Sequence, residues 1–176
     1  MASEVEISNL ALSHLGSYTI NALTEASQEA RKCKLYYPNA RNFVLRDFSW
    51  NFAEKRAYLA EISDVTPVGY DYAYAYPSDC LKARCIYNEV TGGEPIDFII
   101  TATDDLTDKM ILTNQATTIL IYTAKITDPN VFDASFINAL SFKLASDLAQ
   151  PITKKTVLQQ AMIKAYARYM AMAHTS

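Results

Sequence analysis

The sequence predicts an α+β fold: a helical bundle formed by N- and C-terminal helices, with a small antiparallel β domain inserted between them. Three observations carry this. Apolar residues recur at helical spacing, about 3.6 residues, through the first fifty or so positions. The period then falls to about two, most plainly where Tyr70, Tyr72, Tyr74 and Tyr76 alternate with Asp71, Ala73 and Ala75. Beyond residue 128 or so the helical period returns. The predicted boundaries are 1–55 for the first helical part, 56–127 for the β insert and 128–176 for the second helical part.

The first helix is predicted from Ser3 to Leu15. Ser3 and Glu6 have the spacing of a capping box, Ile7, Leu10, Ala11, His14 and Leu15 form the stripe, and Gly16 stops it. Ser17–Leu23 connects, apolar enough at Tyr18, Ile20 and Leu23 to pack down. Thr24 is the expected cap of a second helix reaching Trp50, with Ala26, Ala30, Cys33, Tyr37, Ala40, Val44 and Phe48 inward and Glu25, Gln28, Glu29, Arg31, Lys32, Lys34, Arg41 and Asp47 outward. Pro38 lies inside this pattern and should kink or split it. Trp50 and Phe52 are expected to plug the junction with the insert, and Arg56 to stack on a ring or reach a carboxylate.

In the insert, Pro77-Ser78-Asp79 and Gly92-Gly93-Glu94-Pro95 read as turns. Leu81, Ala83, Cys85 and Tyr87 alternate with Lys82, Arg84 and Ile86. Residues 97–101 form a short strand, and 110–113 with 117–125 a hairpin around Asn114-Gln115-Ala116. The sum is a sheet of about four to six strands. Asp128-Pro129 opens the third helix, with Ile137, Leu140, Leu144 and Leu148 as its stripe, Phe132 and Phe136 beside it, and Gln150-Pro151 as its end. Thr153 or Thr156 caps the last helix, through about Ala173. There Leu158, Ala161, Met162, Ala165, Tyr166, Tyr169 and Met170 cover so much of the surface that partners are required on two sides.

At 176 residues, 50% hydrophobic and 20% charged, the chain fits one modest domain with a real core. A net charge of -3 argues against a duplex-DNA binder, which needs a basic face. Cys33, Cys80 and Cys85 are read as reduced, packed thiols, with a Cys80–Cys85 disulfide as the minor reading. The acidic start without an apolar core is not that of a signal peptide, and no run approaches about 18 apolar residues, so no membrane span is expected.

Candidates for chemistry each have a plainer reading. His14 lies on an apolar stripe, where packing is commoner than ligation; His174 sits at the terminus. Asp104, Asp105 and Asp108 lack the glycine and terminal Glu of a calcium loop. Asp71 and Asp79 flank the tyrosines, but nothing fixes their separation for acid–base work. No catalytic residue, metal or cofactor is expected. The tyrosines Tyr70, Tyr72, Tyr74 and Tyr76 read as cross-strand packing, as a protein interface, or as a stacking platform for single-stranded nucleic acid; the last lacks interleaved basic residues.

Four ordered segments carry a family likeness. They are Ala30-Arg31-Lys32-Cys33 with Tyr36-Tyr37-Pro38-Asn39-Ala40-Arg41 and Val44-Leu45-Arg46; Trp50-Asn51-Phe52-Ala53 with Arg56 and Leu59-Ala60; Tyr74-Ala75-Tyr76-Pro77-Ser78-Asp79-Cys80; and Phe132-Asp133 leading to Ala139-Leu140, Leu144-Ala145 and Leu148-Ala149. Together they resemble the tail tubular protein A family of tailed bacteriophages, the head-to-tail adaptors or connectors, over nearly the whole chain. The resemblance implies a non-enzymatic virion protein, made in the host cytoplasm and placed at the portal vertex. There it forms a homo-oligomeric ring, typically of twelve copies, under the portal protein. The ring extends the DNA channel and docks the tail or nozzle protein, and double-stranded DNA passes without tight binding. Acidic side chains are then expected to line the channel. Lys164, Tyr166, Arg168, Tyr169 and Met170 on the last helix, with the acidic Glu25, Glu29 and Asp47 of the second, are the candidate subunit contacts, and the tyrosines of the insert face the tail; the alternative swaps these roles, with the sheet edges joining subunits and the helices facing portal and tail. The competing reading is a small single-stranded nucleic-acid-binding module using Tyr70–Tyr76.

Overall fold

A computed structural model of the chain describes residues 2–65, 67–87, 96–103 and 105–173. The Gly92–Pro95 turn, Asp104 and His174 lie outside the described residues. Helices α1 (Glu4–His14), α2 (Gln28–Asp47), α3 (Ala134–Thr153) and α4 (Thr156–Ala173) bracket strands β1 (Glu54–Tyr58), β2 (Tyr72–Ala75), β3 (Cys80–Tyr87), β4 (Phe98–Ala102), β5 (Lys109–Thr113) and β6 (Ile119–Ala124). The fold is therefore α+β, with helices at both ends of the chain. It divides into two compact units, one of Met1–Phe52 with Ile126–Ser176 and one of Ala53–Lys125.

In the helical unit, α3 is the central element, packed by α1, α2 and α4. That is why its buried set runs almost around the helix: Phe136, Ala139, Leu140, Ser141, Leu144, Ala145, Ser146, Leu148 and Ala149. Its small residues let neighbouring helices approach, and Ser141 and Ser146 satisfy their hydroxyls on the carbonyls of Asn138 and Lys143. α1 begins with the capping box: the Ser3 amide donates to Glu6 Oε2 at 2.8 Å and the Glu6 amide to Ser3 Oγ at 3.1 Å. Its buried face is Ile7, Ser8, Ala11 and Leu12. Ile7, Ala11 and Leu15 of the predicted stripe are buried, while Ser8 and Leu12 take the places of Leu10, which is 41% exposed, and of His14, which is half-buried. Gly16 follows at φ +65°, the left-handed stop predicted. In the connector Ile20 is buried but Tyr18 is exposed.

Three helix boundaries differ from expectation. Ser27, not Thr24, caps α2, accepting from the Ala30 amide at 3.2 Å, because the Glu25 carboxylate accepts from the Asn21 and Ala22 amides and holds that stretch in a turn. Ala26 is exposed as a result, and α2 ends at Asp47 rather than Trp50. Asp128-Pro129 closes only a single 3-10 turn; Phe132 is extended, and Asp133 is the true cap of α3, accepting from the Phe136 amide at 2.6 Å. Neither internal proline breaks its helix. α2 continues unbroken past Pro38, and α3 runs past Pro151 to Thr153, where Lys154 in the left-handed conformation ends it. Proline's fixed φ is helical, so each costs a backbone bond without changing direction enough to stop the helix.

The β unit holds two three-stranded antiparallel sheets, ordered β1-β6-β3 and β2-β5-β4. The predicted β5–β6 hairpin is thereby corrected: the two strands belong to different sheets. The loop between them is pinned, not tight. The Gln115 carbonyl accepts from Tyr74 OH at 3.0 Å and from Thr118 Oγ1 at 2.9 Å, and Asn114 Oδ1 accepts from the Asp71 amide. Two register shifts in β3, at Cys80/Lys82 and Ala83/Cys85, reset its alternation, so that Cys80 and Ile86 are buried instead of the predicted Leu81, Ala83, Cys85 and Tyr87 set. β1 begins two residues before Arg56.

Candidate subunit interface

The candidate residues of α4 separate onto two faces. Tyr166 and Met170, one turn apart, point into the helical unit. Met170 is 5% exposed and packs within its own chain, so it is withdrawn as an intersubunit anchor. Tyr166 OH donates to Asp47 Oδ2 at 2.6 Å, and its ring meets Phe43 at 6.3 Å, which straps α4 to the end of α2. Burial, and then the Asp47 carboxylate, push this phenol above its ordinary range.

Lys164 and Arg168, also one turn apart, lie on the other face, both exposed. With Phe142, Ala165, Tyr169 and Met172 they line a groove of about 440 Å³. Tyr169 leans on Phe142 at 6.1 Å between ring centres and accepts from Asn138 Nδ2 at 3.4 Å. Met172 and Ile163 are 60% and 50% exposed on the same helix. The groove is therefore lined by apolar side chains, with the two exposed cations beside them.

The acidic residues expected to meet this helix, Glu25 ahead of α2 and Glu29 and Asp47 on it, all have partners within the chain. Glu25 binds backbone amides, Glu29 Oε1 accepts from Ser17 Oγ at 3.4 Å, and Asp47 holds Tyr166. Arg41, assigned to the outer face, is instead 5% exposed, with Glu4 at 3.7 Å. A second groove, of about 570 Å³, lies where α1 meets α3 and is lined by Ala2, Glu6, Ile7, Asn9, Leu10 and Ile137. It pairs a half-exposed leucine with a carboxylate.

Trp50 is buried in the helical unit. Its Nε1 donates to the Val44 carbonyl at 2.8 Å, one of the carbonyls left free where α2 ends. Its ring stands edge-on to Phe48 at 4.8 Å and Phe136 at 5.2 Å, and Phe52 closes the cluster against Phe132 and Phe136. Arg56 belongs to the β unit and engages Glu54 at 3.1 Å, so of its two predicted partners the carboxylate is the one it finds.

The four tyrosines do not form one face. Tyr72 and Tyr74 stack at 6.3 Å in β2, with Tyr74 buried. Tyr70 packs on the opposite face with Ile62, Val65, Ala73, Met110 and Leu112. Tyr76 lies beyond the strand, where Lys109 Nζ stands 5.6 Å from its ring centre. That cation was invisible to the alternation pattern, because it arrives from β5.

His14 stacks on Phe142 at 4.4 Å and lies 3.1 Å from Ser141 Oγ; burial lowers its pKa. Cys33 is buried, which pushes its thiol up to about 11. All three cysteines are free. Asp79 uses both oxygens, one 2.6 Å from Lys55 Nζ and the other 2.9 Å from Tyr122 OH, and the lysine holds its carboxyl below the usual range. It is a cross-strand tie, a role sequence spacing could not reveal. Asp105 is likewise held low by Thr103 and Thr107. Among the described residues no group of three His, Cys, Asp or Glu side chains could hold a metal ion, and no helix is long and apolar enough to cross a membrane. No family model matches the chain, and no curated protein matches it in sequence.

Proposed function

We propose that this protein is a structural head-to-tail adaptor of a tailed bacteriophage, without enzymatic activity. Copies form a ring, of about twelve by the family pattern, beneath the portal protein; the ring extends the DNA channel and docks the tail or nozzle. The observation that carries this reading is the ordered set of segments from Ala30 to Ala149 that resembles the adaptor family. The apolar groove on α4, with its two exposed cations, supports it, because a closed ring needs each copy to present two different surfaces. Lys164, Arg168, Tyr169 and Met172 form one surface; the α1 groove offers exposed Leu10 for the other, beside Glu6, whose carboxylate also accepts from the Ser3 amide. The channel wall is acidic, in keeping with a net charge of -3 and with DNA that must slide rather than stick.

Charge reversal tests the contact. Lys164→Glu with Arg168→Glu should abolish ring assembly on the portal at low salt while leaving the fold intact by circular dichroism. Normal assembly of the double variant at both low and high salt would remove α4 from the interface. The single-stranded nucleic-acid reading has one observation in its favour, Lys109 beside Tyr76. A monomer that retards oligonucleotides and ignores the portal would establish it instead.

A further inference from the structure

A sheet edge is a row of unpaired amides and carbonyls, and folded chains blunt such edges. Three of the four edges in the β unit are blunted by visible means. β1 carries Glu54, Lys55 and Arg56. β3 is bulged twice and bridged by Ile96. β2 is overlaid by residues 60–62, where the Ala75 amide donates to Ala60 and the Ile62 amide to Ala73. Among the described residues β4 has none of these. It reads Phe98-Ile99-Ile100-Thr101-Ala102, with no charge and no proline, and Ile99 and Ile100 are each 44% exposed. Among the described residues it pairs only with β5.

The register tells which groups point outward. The Thr103 amide donates to the Asp108 carbonyl. Antiparallel pairing alternates, so Ile99 and Thr101 also bond to β5, and the backbone groups of Phe98, Ile100 and Ala102 face away from it. A second β4 laid antiparallel and centred on Ile100 would match these groups one to one. Phe98 would oppose Ala102 of the other copy, a large residue over a small one, and Ile100 would oppose Ile100 across the two-fold axis. No like charges meet anywhere in the five residues.

We infer that β4 is a self-pairing edge through which two copies of this chain join their β2-β5-β4 sheets into one continuous six-stranded sheet. The contact is isologous and closes at two copies. It uses the β unit alone and none of the α4 groove residues, so it stands or falls separately from the adaptor reading.

The dyad position provides the test. The wild-type full chain should show a reversible monomer–dimer equilibrium by analytical ultracentrifugation. Ile100→Lys and Ile100→Glu each place like charges directly opposite and should raise the dimer dissociation constant by roughly tenfold or more. An equimolar mixture of the two variants should recover the dimer, which only a 100-to-100 contact explains. Failure of the mixture to recover, with both variants folded by circular dichroism, would overturn the inference. So would slow hydrogen exchange at the residue-100 amide in a monomeric variant, since the chain itself would then cover the edge.

Discussion

Replacing Trp50 by Ala removes the residue on which the end of α2 and the aromatic cluster both depend. The indole is 3% exposed and touches Phe48, Phe52 and Phe136, so truncation empties a packed site. Large-to-small changes of this kind cost about 3–5 kcal/mol. Loss of the Nε1–Val44 bond, at about 0.5–1.5 kcal/mol, is part of that cost, because the freed carbonyl stays buried beside a helix end. Trp50→Phe separates the terms: it keeps a ring against Phe136 and loses the donor, for a cost of about 1–2 kcal/mol. For a chain of this size each kcal/mol lowers Tm by about 2–4 °C, so the Ala variant should melt roughly 6–20 °C early and the Phe variant roughly 2–8 °C early. The assay is thermal denaturation followed by far-UV circular dichroism, which reports the helices. Trp50 is the only tryptophan, so wild-type fluorescence should be blue-shifted when folded and move red in the same transition. An Ala variant that melts within about 2 °C of wild type would refute the argument, since a residue packed on three rings cannot be deleted for under about 1 kcal/mol.

Two further outcomes follow from the helical core. Leu144→Ala, at a fully buried position on the central helix, should cost about 2–5 kcal/mol in urea denaturation, and a cost under about 1 kcal/mol would mean the site collapses or is not core. His14 has a folded pKa below its ordinary 6.5, so the unfolded chain takes up the proton first. Its contribution is full above pH 6.5, declines as pH falls through that value, and levels off below the folded pKa. Tm measured from about pH 8 down to about pH 5 should therefore fall less for His14→Gln than for wild type, and parallel curves would show that His14 is not the group responsible.

What was legible in the sequence is what local physics encodes. The Ser3–Glu6 box, the Gly16 stop and the α2 stripe from Ala30 to Val44 depend on residues within a turn or two of one another, and each stands where periodicity put it. Caps with competing neighbours were misread: Thr24 lost to Ser27 because Glu25 turned back on the preceding amides, and Asp128 lost to Asp133 because the chain straightened at Phe132. The alternating stretches identified strands but not their sheets. Nothing near β5 or β6 states that Met110 pairs toward Thr101 while Tyr122 pairs toward Lys55, and the bulges of β3 invert a period-two reading silently. The site suffered the same limit. A stripe names a face, so Tyr166 and Met170 looked like Tyr169 until the packing of α4 on its neighbours turned them inward. The Asp79 tie and the Lys109–Tyr76 pair join positions far apart in the chain, where spacing carries no signal.

The adaptor account is tested most directly by electron microscopy of the purified protein, alone and mixed with its cognate portal. The account predicts closed rings seated on the portal, with a central opening continuous with the portal channel and wide enough for duplex DNA. Portals that remain bare at every ratio of the two proteins, while the free chain stays monomeric and binds single-stranded oligonucleotides, would contradict it.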